Sequence, residues 1–440
     1  MKIAKLFIKG EFEQAYMYMG RLIIFEQNKQ IRFINLSQIS KNLRSRFKNR
    51  IPFYEWLFIR SDWLANKQTR SLLWNEGYNA LMKTAIGDCS DTPIEFELES
   101  LTPELIVSLR NNTFNAMLDC AVYNGEIYVG TDKGLFHARG SWKGKTIEFS
   151  SSKKRHDLKI IHTSAQYATV NLSCGSDGLH TAYEDFDSAT RKAFRQHPNV
   201  SKSYATTWCK FDLVNYESFE QPNMFRGVKG TPKKLSIERE TTVMAEIQDN
   251  PYVGSIWDLQ RKLEKNITVP KVDTARLRYS FNAGQLFYGV MDNGEITRTR
   301  VSYTKGSDPK PIIGRPEIMR VSKVAKESND FNDFQDIVSS QPLPTLEALT
   351  IQTFDAVDVL TPQGIVNLLR EPAISIRTFP QSHQYRNIIL VTTDNGLWIM
   401  SAFDDRIFEQ HTLDTPLLNE LEPPPEPYES EEDEPDDEEE

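Results

Sequence analysis

The stretch IYVGTDKGLF, Ile127 to Phe136, returns in altered form as ILVTTDNGLW, Ile389 to Trp398. In both, an apolar run rich in Ile and Val meets Thr-Asp, turns through Lys-Gly or Asn-Gly, and resumes as an apolar run. A tight hairpin needs backbone at positive φ, which Gly adopts freely and Asn or Asp tolerates best. Each copy therefore reads as strand, turn, strand. The same plan recurs in RLIIFEQNKQI (21–31), VNLSCGSDGL (170–179) and QLFYGVMDNGEI (285–296). Apolar and polar residues alternate before each turn, as half-buried antiparallel strands require.

The spacing of these hairpins bears on architecture. Asp132 and Asp177 are 45 residues apart, and one four-stranded blade of a radial repeat occupies about 40–50 residues. The remaining gaps are near two such units. Strand-like YATTWCKFDLVNY (204–216) and ALTIQTFDAV (348–357) can fill them, with IEFELES (94–100) ahead of the first clear copy. The pattern resembles the β-propeller superfamily in general, without the Gly-His and Trp-Asp pairs of WD repeats or the paired glycines of kelch repeats. That resemblance implies a mainly β fold, a β-propeller of about seven blades with slots for six to eight, over residues 1–420.

A second duplication, LTPELIVSLR (101–110) and LTPQGIVNLLR (360–370), reads as two short helices, with Thr102 or Thr361 as N-cap and Pro103 or Pro362 in the first turn. Residues 37–85 have helical periodicity split by Pro52 and read as a helical insertion. Residues 302–345 read as a loop and helix insertion, and SIWDLQRKLEKN (255–266) as an amphipathic helix.

The chain of 440 residues carries 24 Phe, 16 Tyr and 7 Trp, enough to fill a large core. It has no run of eighteen apolar residues and no apolar leader, so a cytoplasmic protein without membrane contact is expected. Cys89, Cys120, Cys174 and Cys209 match no zinc-ligand spacing and read as reduced structural thiols. The formal charge is −9. Twelve acidic residues and no Lys or Arg lie in 421–440, so the acidity sits in a proline-broken tail whose composition predicts disorder.

The insertion carries the most informative functional signal. Eight basic residues between Lys41 and Arg70 face only Glu55 and Asp62, and they interleave with aromatic residues. Lys41, Arg44, Arg46, Lys48, Arg50, Trp56 and Arg60 are the candidate partner-binding residues. Basic charge with rings suits an acidic protein partner or nucleic acid. Alternatively, Trp56, Leu57, Phe58 and Trp63 form a face packed on the ring. The acidic tail has the opposite sign and could mask the basic segment.

For catalysis the signal is thin. The seven histidines show neither HExxH nor Cys-His spacing, and no GxSxG elbow or phosphate loop is present. His137, His162 and His180 fall in or beside adjacent repeat units, where convergence at a central channel would permit metal binding or acid–base work. No catalytic residue, metal or cofactor is assigned from sequence. The leading expectation is a non-enzymatic scaffold or subunit of a larger complex. The alternatives are a hydrolase or lyase with its site in the channel, and a nucleic-acid-binding accessory protein.

Overall fold

The computed structural model describes residues 1–47, 51–109, 114–143, 146–149, 152–166, 169–183, 193–197, 200–210, 212–218, 222–226, 277–291, 296–304, 311–319, 338–343, 348–361, 364–380 and 382–404, with Leu346 and Phe408. The acidic segment 421–440 and the helix expected at 255–266 lie outside these residues.

The chain begins with β1 (Lys2–Lys9), which belongs to the last blade. Blade 1 comprises β2 (Phe12–Tyr18), β3 (Arg21–Glu26) and β4 (Gln30–Asn35). Five helices follow: α1 (Leu36–Arg46), α2 (Ile51–Phe58), α3 (Asp62–Ala65), α4 (Lys67–Leu72) and α5 (Glu76–Asp91). After them come β5 (Ile94–Glu97) and β6 (Leu105–Ser108), the latter being the fourth strand of blade 1. Blade 2 contains β7 (Met117–Tyr123), β8 (Glu126–Thr131), β9 (Gly134–Lys143), β10 (Thr146–Phe149) and β11 (Lys153–His156). Blade 3 contains β12 (His162–Gln166), β13 (Thr169–Ser173), β14 (Leu179–Tyr183) and β15 (Arg195–Gln196). Blade 4 contains β16 (Ala205–Cys209), β17 (Asp212–Tyr216) and β18 (Pro222–Arg226). Blade 5 contains β19 (Leu277–Ala283), β20 (Leu286–Met291), β21 (Ile296–Tyr303), β22 (Pro311–Ile313) and β23 (Glu317–Met319). Blade 6 contains β24 (Ser339–Leu343), β25 (Ala348–Gln352), β26 (Val357–Thr361) and β27 (Gly364–Leu369). Blade 7 contains β28 (Ser375–Thr378), β29 (Ile388–Thr393) and β30 (Gly396–Phe403).

Within each blade the strands are antiparallel, apart from β5 at the outer edge of blade 7, and the first strands β2, β7, β12, β16, β19, β24 and β28 neighbour one another in a closed cycle. This is the β-propeller arrangement. Six of the sheets hold four or more strands, and blade 4 holds three among the described residues. The five hairpins that open the sequence argument occupy one structural position. They join second and third strands in blades 1, 2, 3, 5 and 7.

The second strand of every blade is buried along its whole length. It has a hydrogen-bonded strand on each side and a neighbouring blade over each face. Side chains there must be apolar or small and hydrogen-bonded, as in IILVTT at 388–393. Seven apolar clusters result, one between each pair of adjacent blades. A sheet with both faces covered cannot fold alone, so each blade depends on its neighbours.

The ring is shut by β1, which pairs antiparallel with β30 from Lys2↔Phe403 to Lys9↔Gly396. IEFELES does not begin a blade. Its strand β5 pairs in parallel with β1, Leu6↔Ile94 through Lys9↔Glu97, and widens blade 7.

One expectation is corrected. LTPELIVSLR and LTPQGIVNLLR carry strands, not helices: β6 pairs with β4, and β27 with β26. A four-to-six-residue apolar run is ambiguous between the two periods, and the free edge of each sheet decides it. Within 302–345 the described residues lie in the end of β21 and in or beside β22, β23 and β24, and 305–310, 320–337 and 344–345, where the expected loop and helix would fall, lie outside the description.

Candidate functional site

The helices leave blade 1 between its third and fourth strands. Asn35 caps α1 by accepting from Ser37 N at 2.9 Å, Asn66 caps α4, and Asn75 caps α5 by accepting from Gly77 N at 3.0 Å. Pro52 stands in the first turn of α2, where its missing N–H costs nothing. The inner faces of these helices join blades 7 and 1 in one core cluster with Leu6, Ile8, Leu397 and Ile399. Polar ties fix them further: Ser61 Oγ donates to Gln384 O at 2.7 Å and Ser90 Oγ to Ile3 O at 2.6 Å.

The sequence-assigned basic and aromatic residues fall into three groups. Trp56 is 7% exposed and packs edge-on against Phe53, so it contributes to the core. Lys41, Arg44, Arg46 and Arg60 are exposed, three of them with partners in the chain. Arg44 pairs with Glu55 at 3.0 Å, Arg46 donates to Glu95 O at 2.7 Å, and Arg60 pairs with Asp62 at 3.0 Å while lying over the Trp63 ring. Lys48 and Arg50 lie outside the described residues.

Sequence reasoning missed the apolar part of this surface. Of twelve exposed large apolar side chains among the described residues, four lie within 63–81: Trp63, Leu72, Tyr78 and Leu81. On α5 the buried stripe Met82, Ala85, Ile86 and Cys89 has helical spacing. Tyr78 continues that stripe one turn beyond the core it covers, 49% exposed, with Leu81 beside it at i+3.

A second cluster lines the channel. Arg377 on β28 donates to Asp119 Oδ1 on β7 at 2.5 Å and to Gln14 Oε1 on β2 at 3.2 Å. Thr163 N donates to Asp119 Oδ2 at 2.7 Å, and His162 Nε2 on β12 stands 4.0 Å from that oxygen. Thr206 N of β16 donates to His162 Nδ1 at 3.4 Å. Arg377 and Asp119 are only 15% and 10% exposed. Burial is the largest single influence on Arg377 and opposes its charge, but Asp119, Cys120 and Tyr16 together outweigh it and raise the pKa. Burial holds His162 below the ordinary imidazole value against the pull of Asp119, with Arg377 adding to the lowering. It pushes the Cys120 thiol and the Tyr16 hydroxyl each up to about 12. Asp119 thus has acceptor bonds on both oxygens, and the cluster ties together five blades.

His137, His162 and His180 do not converge. His137 lies 2.9 Å from Glu126 inside blade 2, beside Tyr128. His180 instead meets His156 and Cys174, the one group among the described residues with the donor set and spacing to hold a metal ion. Its members come from β11, the β13–β14 turn and β14, which is why linear spacing hid them.

No family model matches the chain, and no curated protein matches it. Among solved structures, the extracellular domain of a candidate hybrid two-component system from B. thetaiotaomicron aligns with 92% of this chain at 12% identity and TM-score 0.43. The chain spans 40% of that protein's length. A candidate 6-phosphogluconolactonase from Bacteroides uniformis aligns with 66% of this chain and 80% of its own length, at 9% identity and TM-score 0.38.

Proposed function

We propose that this β-propeller is a non-enzymatic cytoplasmic scaffold or subunit of a larger complex, which docks a protein partner on the outer face of the α3–α5 helices. One observation carries the reading: the apolar stripe of α5 outruns its own core and leaves Tyr78 and Leu81 exposed, in the same run of helices as the exposed Leu72 and Trp63. Exposed apolar side chains with charged neighbours suit the anchor-and-rim pattern of a protein interface. The exposed cations of the same insertion, Lys41, Arg44, Arg46, Arg60 and Lys83, suit an acidic partner. Lys83 also lies 5.2 Å from the Phe408 ring. Among the described residues no helix is long and apolar enough to cross a membrane.

The channel cluster favours binding over hydrolase or lyase chemistry, because its one carboxylate is bonded on both oxygens and its histidine accepts a backbone N–H. The test is affinity purification of the full chain against a Leu72→Ser/Tyr78→Ser/Leu81→Ser variant, with Phe354→Ser as control for an exposed ring elsewhere. A partner held by wild type and control but lost by the triple variant supports the reading. Equal recovery from all three would overturn it, and capture dominated by nuclease-sensitive material would move it to nucleic acid.

A further inference from the structure

Between blades 2 and 3 one ring nitrogen each of His156 and His180 and the sulfur of Cys174 lie within 4.8 Å of one another. We propose that these three side chains bind a single zinc-class divalent cation, leaving a fourth position for water or the Asp177 carboxylate.

The strongest support is what the donors are not doing. His180 is 8% exposed and Cys174 3%. His156 Nε2 and His180 Nδ1 are buried and have no hydrogen-bond partner. A buried polar atom left unpaired costs about 1–3 kcal/mol, so one such atom on each of two histidines that share a site with a thiol requires an explanation. The other nitrogen of His180, Nε2, lies 3.1 Å from Asp177 O. A carbonyl can only accept, so Nε2 carries the proton and Nδ1 is the lone pair. Metal-ligating histidines are commonly oriented by a bond of this kind on the outer nitrogen. The two rings stand 4.7 Å apart by centroid, tilted rather than stacked.

The backbone around the donors is fixed by glycines. In CGSDGLH, 174–180, Cys174 N donates to Gly178 O at 3.0 Å, and Gly178 N donates to Gly175 O at 3.2 Å. Gly175 and Gly178 have φ of +66° and +86°. A Cβ at Gly178 would stand 2.4 Å from Val200 O, so no side chain fits. This turn brings Cys174 and His180 to the same place. On the other side, β11 pairs with β9 through a register shift between Lys154 and His156, and the backbone of His156 lies against Gly134, where a Cβ would come within 2.1 Å of its carbonyl oxygen. His156 is thereby delivered from a different blade. An ion here would clip β11 to the β13–β14 turn.

The chemistry selects the ion class. One thiolate and two imidazoles form a borderline-soft set suited to Zn(II) or Co(II) and poor for Mg(II) or Ca(II). Tetrahedral zinc keeps such donors about 3.4–3.7 Å apart at its usual bond lengths, so a side-chain rotation of about 1 Å closes the set. Asp177, exposed beside the cluster, is close enough to act electrostatically on both Cys174 and His180.

The test uses the full chain, stripped with a chelator. Zn(II) is titrated in competition with a chromophoric chelator, and Co(II) is followed by absorption. One equivalent should bind with submicromolar affinity, and Co(II) should give a sulfur-to-metal charge-transfer band with tetrahedral visible bands. Cys174→Ser should remove the charge-transfer band. His156→Gln, at a partly exposed edge position that leaves the core intact, should weaken zinc binding more than about 100-fold. Cys89→Ser should change neither. Zinc should raise the melting temperature of wild type with concentration but not that of His156→Gln. Absence of a one-equivalent site in wild type, or a charge-transfer band that survives in Cys174→Ser, overturns the proposal.

Discussion

Two buried polar clusters share blades 2 and 3 and are built on opposite principles. In the channel, Arg377, Asp119, Gln14 and His162 use one another and nearby backbone N–H groups, so the carboxylate is bonded on both oxygens. Between blades 2 and 3, His156, Cys174 and His180 lie side by side with ring nitrogens unpartnered. The first arrangement spends its bonds on joining blades. The second keeps its lone pairs, and the difference separates a structural network from a place built to receive something.

The largest effect should come from breaking the closed network. Asp119→Ala strands the Arg377 guanidinium and should cost about 3–5 kcal/mol in denaturant unfolding; a loss under about 1 kcal/mol would mean that water replaces the carboxylate and that the channel network is not structural. Next, Gly178→Ala forces a side chain into left-handed backbone against Val200 O and should cost about 1–3 kcal/mol while weakening the zinc site. Intact cation binding in this variant would show that the turn does not position the donors.

A pH experiment sharpens the contrast. Burial holds the His162 pKa below the ordinary 6.5, with Arg377 adding to the lowering and Asp119 opposing it. An unfolded histidine takes a proton near 6.5, so the stabilisation is complete above that value and is lost as pH falls below it. His162→Gln should flatten the fall of unfolding free energy below pH 6.5. His156, His180 and His197, whose pKa values burial also lowers, supply the slope that remains. The smallest effect belongs to the insertion's surface pairs: Arg44→Gln should change stability by no more than about 1 kcal/mol, since an exposed ion pair is screened.

The hairpins were legible because their chemistry is local. Asp-Gly and Asn-Gly turns carry their own conformational demand, and five copies fell on one structural position. Blades 4 and 6 were visible only as strand-like runs because they lack that turn. The two LTP segments misled because Thr-Pro followed by Leu, Ile and Val satisfies a helix start, whereas a sheet edge supplied bonds that no local signal announces. In the insertion the apolar periodicity was readable, yet the assignment of Trp56 to a partner surface ran ahead of its depth: it is buried, and the exposed large apolar residues among those described there are Trp63, Leu72, Tyr78 and Leu81. The metal-type cluster and the channel pair were illegible for one reason. Their members stand up to 258 residues apart, as Asp119 and Arg377 do, and only the ring brings them together.

The pairing of β1 with both β30 and β5 has a consequence for synthesis. A ribosome emits Lys2–Lys9 almost four hundred residues ahead of its antiparallel partner, Gly396–Phe403. Through that interval the nascent strand would present an open edge, the kind of surface on which chains associate wrongly. The segment Ile94–Glu97 emerges early, with α5 packed on β1 just before it, so the growing chain holds its own latch sheltered on one side until the final blade arrives to engage the other.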